Sequence, residues 1–174
     1  MSKNNRKWMQ IVILLVILVV GALTIGSSLM DGGKVPRAGD RAPNFVLEGL
    51  DGTKHQLSDY KGKVILINFW GSFCPPCVRE MPAIQRQYEK YKDRNFVVLA
   101  VNLDESLITV RGFVKQNQLQ FPILLDHSTV RKQYGVSLYP SSFFVNSDGR
   151  IEAMREGEMT EEFMEQTLSR MLSK

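Results

Sequence analysis

The run Val64-Ile65-Leu66-Ile67-Asn68-Phe69-Trp70 passes through Gly71, Ser72 and Phe73 straight into Cys74-Pro75-Pro76-Cys77, and nothing else constrains the fold as strongly. It is apolar on both faces, as expected for a strand in the middle of a sheet covered by helices. A helix is expected next, from about Pro76 to Lys92, with Met81, Ile84, Tyr88 and Tyr91 recurring on its buried stripe. Pro75 and Pro76 suit the helix start, where a missing N–H costs least. Pro82 cannot donate to the Val78 carbonyl and should kink the helix. The cysteine pair therefore lies at a strand-to-helix junction.

That position has chemical consequences. Unpaired N–H groups and partial positive charge at a helix N-terminus stabilise a thiolate. A free thiol titrates near 8.5, and such sites lower this to about 3.5–7.5. Cys74 is expected to be the exposed attacking thiol and Cys77, one turn into the helix, the resolving thiol. The two prolines remove donors from Cys74, which should leave it less acidic than the most oxidising pairs of this kind. Other readings of the pair are a structural disulfide, a zinc site and inert thiols. So short a loop constrains little of the unfolded chain, so a purely structural bridge would be weak. Zinc normally needs four ligands. The chain has two cysteines and two histidines, and His55 and His127 lack finger spacing. No metal or cofactor is expected, and both histidines are expected at the surface without a role.

The rest of the chain alternates between strand and helix patterns. Phe45-Val46-Leu47 and Thr53 to Leu57 flank Asp51-Gly52 and suggest a hairpin. Phe96 to Leu103 reads as a second buried strand. Ser106 to Gln116 reads as a helix with Leu107, Val110 and Val114 on one face. Phe121 to Leu125 reads as a short strand and Ser128 to Tyr134 as a short helix. Ser142 to Val145 and Ile151 to Glu156 form a hairpin around Asp148-Gly149. Thr160 can cap a last helix that buries Met164, Leu168, Met171 and Leu172. The pattern is α/β with a mixed sheet.

The N-terminal part differs. Trp8 to Met30 carries no charge. At about 1.5 Å per residue, such a helix could cross a hydrocarbon core of roughly 30 Å. Lys3, Arg6 and Lys7 precede it and favour a cytoplasmic N-terminus. The apolar run is longer than the h-region of a cleaved signal, so a retained single-pass anchor is expected. The expected organisation is a basic tail at 1–7, an anchor at 8–30, a linker at 31–36 and one domain at 37–174 outside the cytoplasm. The net charge of +4 belongs mostly to the tail: without its three basic residues, 19 of the 22 remain against 18 acidic ones. No basic run is left to track phosphates, so nucleic-acid binding is a poor reading.

Asn68-Phe69-Trp70-Gly71-Ser72-Phe73-Cys74-Pro75-Pro76-Cys77, with Glu80, Met81 and Pro82, resembles the thioredoxin superfamily. Within it, the chain resembles the membrane-tethered ResA/TlpA/CcmG-type proteins, and the ResA group in overall layout. Pro43-Asn44-Phe45, Leu57-Ser58-Asp59 and Lys61-Gly62-Lys63-Val64 match that group's lead-in. The resemblance covers about Arg37 to Lys174. It implies a thioredoxin-like fold with an N-terminal β-hairpin extension and a central strand-plus-helix insert. It also implies a cis Tyr139–Pro140 bond facing the cysteines, with Tyr139 pairing substrate backbone. Trp70 and Phe73 are further candidates for substrate contact, Phe73 as an apolar rim and Trp70 chiefly through packing. Glu80 would influence thiol titration, and it shares a helical face with Cys77. Asn68 departs from thioredoxin's buried aspartate. An amide cannot act as a base, which shifts acid–base work toward Glu80.

The implied function is reduction of disulfides in envelope proteins, above all the CxxCH cysteines of apocytochrome c. The implied electron donor is a membrane protein of the CcdA/DsbD type. A disulfide oxidase, a general thiol reductant and a tethered binding module without turnover are alternatives. A peroxidase of the peroxiredoxin kind fits less well, because Gly71 stands three residues before Cys74 where a threonine or serine is needed.

Overall fold

The computed structural model describes residues 8–9, 12–19 and 35–173, and the chain divides into units before and after the Lys34–Val35 junction. The expected tail, most of the expected anchor and most of the expected linker lie outside the described residues. Residues 8–9 and 12–19 are helical and exposed. No helix among the described residues is long and apolar enough to cross a membrane.

The second unit is built on one mixed sheet. Its strands are β1 (Val46–Gly49), β2 (Lys54–Gln56), β3 (Val64–Trp70), β4 (Phe96–Leu103), β5 (Ile123–Asp126), β6 (Ser141–Val145) and β7 (Ile151–Glu156). They lie in the order β2-β1-β5-β4-β3-β6-β7. β3, β4 and β5 are parallel, and every other pairing is antiparallel. β1 and β2 pair with Val46 opposite Gln56. Every residue of β3 and β4 is buried, which explains why both read as apolar runs broken only by Asn68 and Asn102.

The helices are α1 (Pro75–Tyr91), α2 (Leu107–Gln116), α3 (Thr129–Gln133) and α4 (Glu161–Leu172). Leu66, Val98, Ala100 and Phe144 point to one face of the sheet. They pack with Met81 and Ile84 of α1, Val110 of α2 and Leu168 of α4. Ile65, Ile67, Leu99 and Val101 point to the other face, where Phe45, Val130 of α3 and Tyr134 cover them. Ser106 and Thr160 cap α2 and α4, each accepting a hydrogen bond from the backbone N–H three residues on.

One expectation about burial needs correcting. Leu107 was expected on the same face as Val110 but is 46% exposed, because it opens the first turn of α2, where only Val110 is fully covered. Pro82 lies inside α1, which runs on through it to Tyr91; Pro82 itself is exposed.

Candidate functional site

Residues expected to do chemistry gather where β3 ends. Cys74 is the N-cap residue of α1 and is joined to Cys77 by a disulfide, with a Cα–Cα distance of 5.3 Å. Its sulfur accepts from the Cys77 backbone N–H at 3.3 Å. That contact satisfies one donor at the helix start. Cys74 is the more accessible of the two, but at 7% exposure against 0% for Cys77 it is far from open. The expectation of an exposed Cys74 is therefore corrected: bonded to Cys77 and belonging to the core cluster of Trp70 and Met81, the sulfur has little free surface.

Phe73, directly before Cys74, meets the 139–140 loop. The Tyr139–Pro140 peptide is cis. The Tyr139 ring meets the edge of Phe73 with centroids 6.4 Å apart. Its hydroxyl accepts from Arg131 Nη1 at 2.6 Å, and the Arg131 backbone N–H donates to Asp126. Phe73 is 61% exposed, so it offers an apolar rim. Its ring lies over Gly71, where an added Cβ would come within 2.3 Å of it. Trp70 is not part of this surface. It is fully buried, with its ring 4.9 Å from Phe113, and packs rather than touching anything outside the domain.

Glu80 sits one helical turn beyond Cys77 and is 1% exposed. Its Oε1 accepts from Asn68 Nδ2 at 2.8 Å and its Oε2 from the Met159 backbone N–H at 2.9 Å. Burial raises its pKa from the ordinary 4.5 to about 7, outweighing the two hydrogen bonds, which act to lower it. Asn68 also donates to Ser142 Oγ at 2.9 Å. The segment after β7 closes this side. Gly157 N–H donates to the Pro140 carbonyl, and Glu158 forms a forked ion pair with Arg79. A buried carboxyl that titrates near neutrality, beside a redox-active type of cysteine pair, can hold or release a proton during thiol chemistry.

A second carboxylate anchors the loop just before Cys74. Glu105 Oε2 accepts from Ser72 N–H at 2.7 Å and from Asn102 Nδ2 at 2.7 Å, and its Oε1 bonds the Ser72 hydroxyl. Glu105, Asn102, Arg131 and the Met159 N–H were not singled out from sequence. For Glu105 and Asn102 a signal existed: both stand at the carboxyl end of a parallel strand, where open α/β sheets bind ligands. His55 is more enclosed than a surface residue, with its side chain 14% exposed and bonded to the Tyr60 hydroxyl, whereas His127 is exposed at 83%. Among the described residues, no group of three or more potential ligands is placed to hold a metal.

Comparison with known proteins agrees with this arrangement. Residues 38–154 match the AhpC/TSA family. The thiol–disulfide oxidoreductase ResA of Halalkalibacterium halodurans is 40% identical over 167 residues, 95% of each chain. ResA of Bacillus subtilis is 38% identical, covering 92% of this chain and 90% of its own. Among solved structures, a Chlorobium tepidum chain provisionally assigned as the thiol:disulfide interchange protein DsbE is 33% identical. It superposes with a TM-score of 0.74, covering 79% of this chain and 99% of its own.

Proposed function

We infer that this chain, which belongs to the AhpC/TSA family and is a thioredoxin-like thiol–disulfide oxidoreductase related to ResA, works as a reductant of protein disulfides. The observation that carries the reading is the Cys74–Cys77 disulfide at the start of α1 with the buried Glu80 one turn further on.

In the reaction, the reduced Cys74 thiolate attacks one sulfur of a substrate disulfide. A mixed disulfide forms, and the first substrate thiolate leaves and takes up a proton. Cys77 then gives up its proton, for which the Glu80 carboxylate is the nearby acceptor on its own helical face. The Cys77 thiolate attacks Cys74 Sγ and expels the second substrate thiolate. Two electrons pass to the substrate, and the pair ends as the disulfide seen here. Tyr139, at the cis peptide, pairs with substrate backbone, and Phe73 supplies the apolar rim. A dithiol electron donor must return the pair to its reduced form, and a membrane protein of the CcdA/DsbD type fits that role. No metal or cofactor takes part.

The substrate proposed is the CxxCH disulfide of an apocytochrome c, which must be open before haem attaches. The likeness to ResA proteins over most of the chain supports this choice. The uncharged stretch from Trp8 to Met30 behind a basic tail supports a single-pass anchor, with the catalytic domain outside the cytoplasm.

Trapping tests the reading. With Cys77→Ala, the mixed disulfide on Cys74 cannot be resolved, so substrates should accumulate as covalent adducts. Recovery of apocytochromes is expected. Absence of any adduct, with Cys74 shown to react with a small alkylating agent, would remove the mechanism.

A further inference from the structure

Gly157, Glu158 and Met159 lead from the end of β7 to Thr160, the cap of α4. Each of the three is bonded to a different part of the site. The Gly157 N–H donates to the Pro140 carbonyl at 2.8 Å. The Glu158 carboxylate takes the forked pair with Arg79. The Met159 N–H donates to Glu80 Oε2 at 2.9 Å. One residue thus separates a bond to the loop that carries Tyr139 from a bond to the buried carboxyl.

These bonds are unequal. The Arg79 and Glu158 side chains are 60% and 37% exposed, and a pair so open to water holds little. The Met159 side chain is buried in the core cluster with Cys77 and Met81, which anchors the far end of the segment. Gly157 holds the near end. Its φ of 86° lies in the left-handed region, which glycine adopts freely and β-branched residues resist. An added Cβ there would meet nothing within 4 Å, so the position needs glycine for its backbone angle and not for space.

Glu80 is almost fully buried, so a docked polypeptide can hardly bury it further. Docking can still alter its hydrogen bonding. Asn68 of β3 gives one donor and also bonds Ser142 of β6, and these two stand opposite each other within the sheet. Met159 gives the other donor, from a segment outside the sheet. Glu158 is the neighbouring charge that acts on Glu80, and Cys77 stands one turn back on α1.

We propose that Gly157 and Met159 are positioning residues that join the Tyr139–Pro140 loop to the carboxyl of Glu80, so that a polypeptide seated on the loop holds the Met159 N–H against that carboxyl. The inference rests on the exchange reading, in which substrate backbone pairs at Tyr139. Such pairing steadies the Pro140 carbonyl, and with it Gly157 and the Met159 N–H. A donor held against the carboxyl favours its ionised form. Docking then readies Glu80 to take the Cys77 proton when the mixed disulfide has to be resolved.

The test reads the titration midpoint of the Glu80 carboxyl by carbon-13 NMR in the full-length protein, with the signal assigned through Glu80→Gln. An ester in place of the Glu158–Met159 amide, introduced by semisynthesis, deletes the one N–H and should raise the midpoint by about one pH unit. Gly157→Val should raise it as well, whereas Gly157→Asn, which tolerates a positive φ, should keep it. In Cys77→Ala, a single-cysteine peptide held as a mixed disulfide on Cys74 should give a lower midpoint than a methylthio cap, which has no backbone to pair. The ester should abolish that difference. A midpoint unmoved by the ester, or equal for peptide and cap, overturns the inference. If Cys74 takes the methylthio cap but never the peptide, the exchange reading falls instead, and the ester alone decides whether the segment governs Glu80.

Discussion

Two glutamates stand near the cysteine pair, Glu80 one helical turn after Cys77 and Glu105 bonded to Ser72 before Cys74, and their settings differ. Glu80 is sealed under the segment after β7, with two donors and almost no exposure. Glu105 is half-buried at the mouth of a cleft and gathers three donors, two of them from Ser72. For Glu80, the cost of burying charge outweighs its hydrogen bonds and brings the pKa to about 7. Glu105 serves as an acceptor hub that ties the loop before Cys74 to the end of β4. The same type of side chain is thus driven toward its protonated form in one setting and serves as a tether in the other.

The most severe way to probe this comparison is to remove the sulfur both carboxylates serve. Cys74→Ser should reduce disulfide exchange to background while leaving the fold intact, measured with an insulin or peptide disulfide. Retained turnover would mean that neither glutamate flanks the reacting group.

Glu80→Gln comes next. The folded protein holds a proton on Glu80 between the ordinary pKa of 4.5 and about 7, whereas the unfolded chain has released it. The contribution of this group is therefore complete below the unfolded value and lost as pH rises through about 7. Its size is about 3 kcal/mol as an order of magnitude. Denaturant melts should show native stability declining across that window. The decline should be flattened in Glu80→Gln, together with the pH profile of thiol alkylation in the reduced protein. Parallel pH curves for both proteins would contradict the assignment.

Glu105→Ala should cost less. It leaves the Ser72 N–H and the Asn102 amide short of an acceptor, a loss of about 1–3 kcal/mol where water cannot substitute. Because the role is a tether, stability in denaturant melts should fall. Unchanged stability would contradict the tether. Phe73→Ser is the mildest. An exposed ring at the rim should leave stability within about 0.5 kcal/mol. KM for a polypeptide substrate should rise, with kcat little changed.

The sequence carried much of this site through local patterns. The unbroken strand, the cysteine pair at its end and the Ser106 and Thr160 caps all depend on near neighbours in the chain, and each is found where expected. Burial was harder to read. Trp70 could have faced a substrate or the core, and only the packing of Phe113 against it decides. Leu107 fits a helical stripe, yet it lies on the first turn of α2, where only Val110 is fully covered. Glu80 was legible as a candidate, but its proton affinity was not. That property needs the Met159 N–H, a backbone donor 79 residues away that no side-chain pattern announces. Glu105 was missed because its reach to Ser72 follows from the turn at Asp104, a non-glycine residue with φ of 55°.

The account rests most heavily on the protonation of Glu80. A carbon-13 titration of its side-chain carboxyl, followed by NMR in the oxidised protein, measures this directly. A midpoint near 7 is predicted, with a small downward shift in Glu158→Gln, because the Glu158 charge also acts to raise the Glu80 pKa. A midpoint at the ordinary carboxylate value of 4.5 would contradict the account, because Glu80 would then be a permanent anion at neutral pH and no proton carrier for the pair.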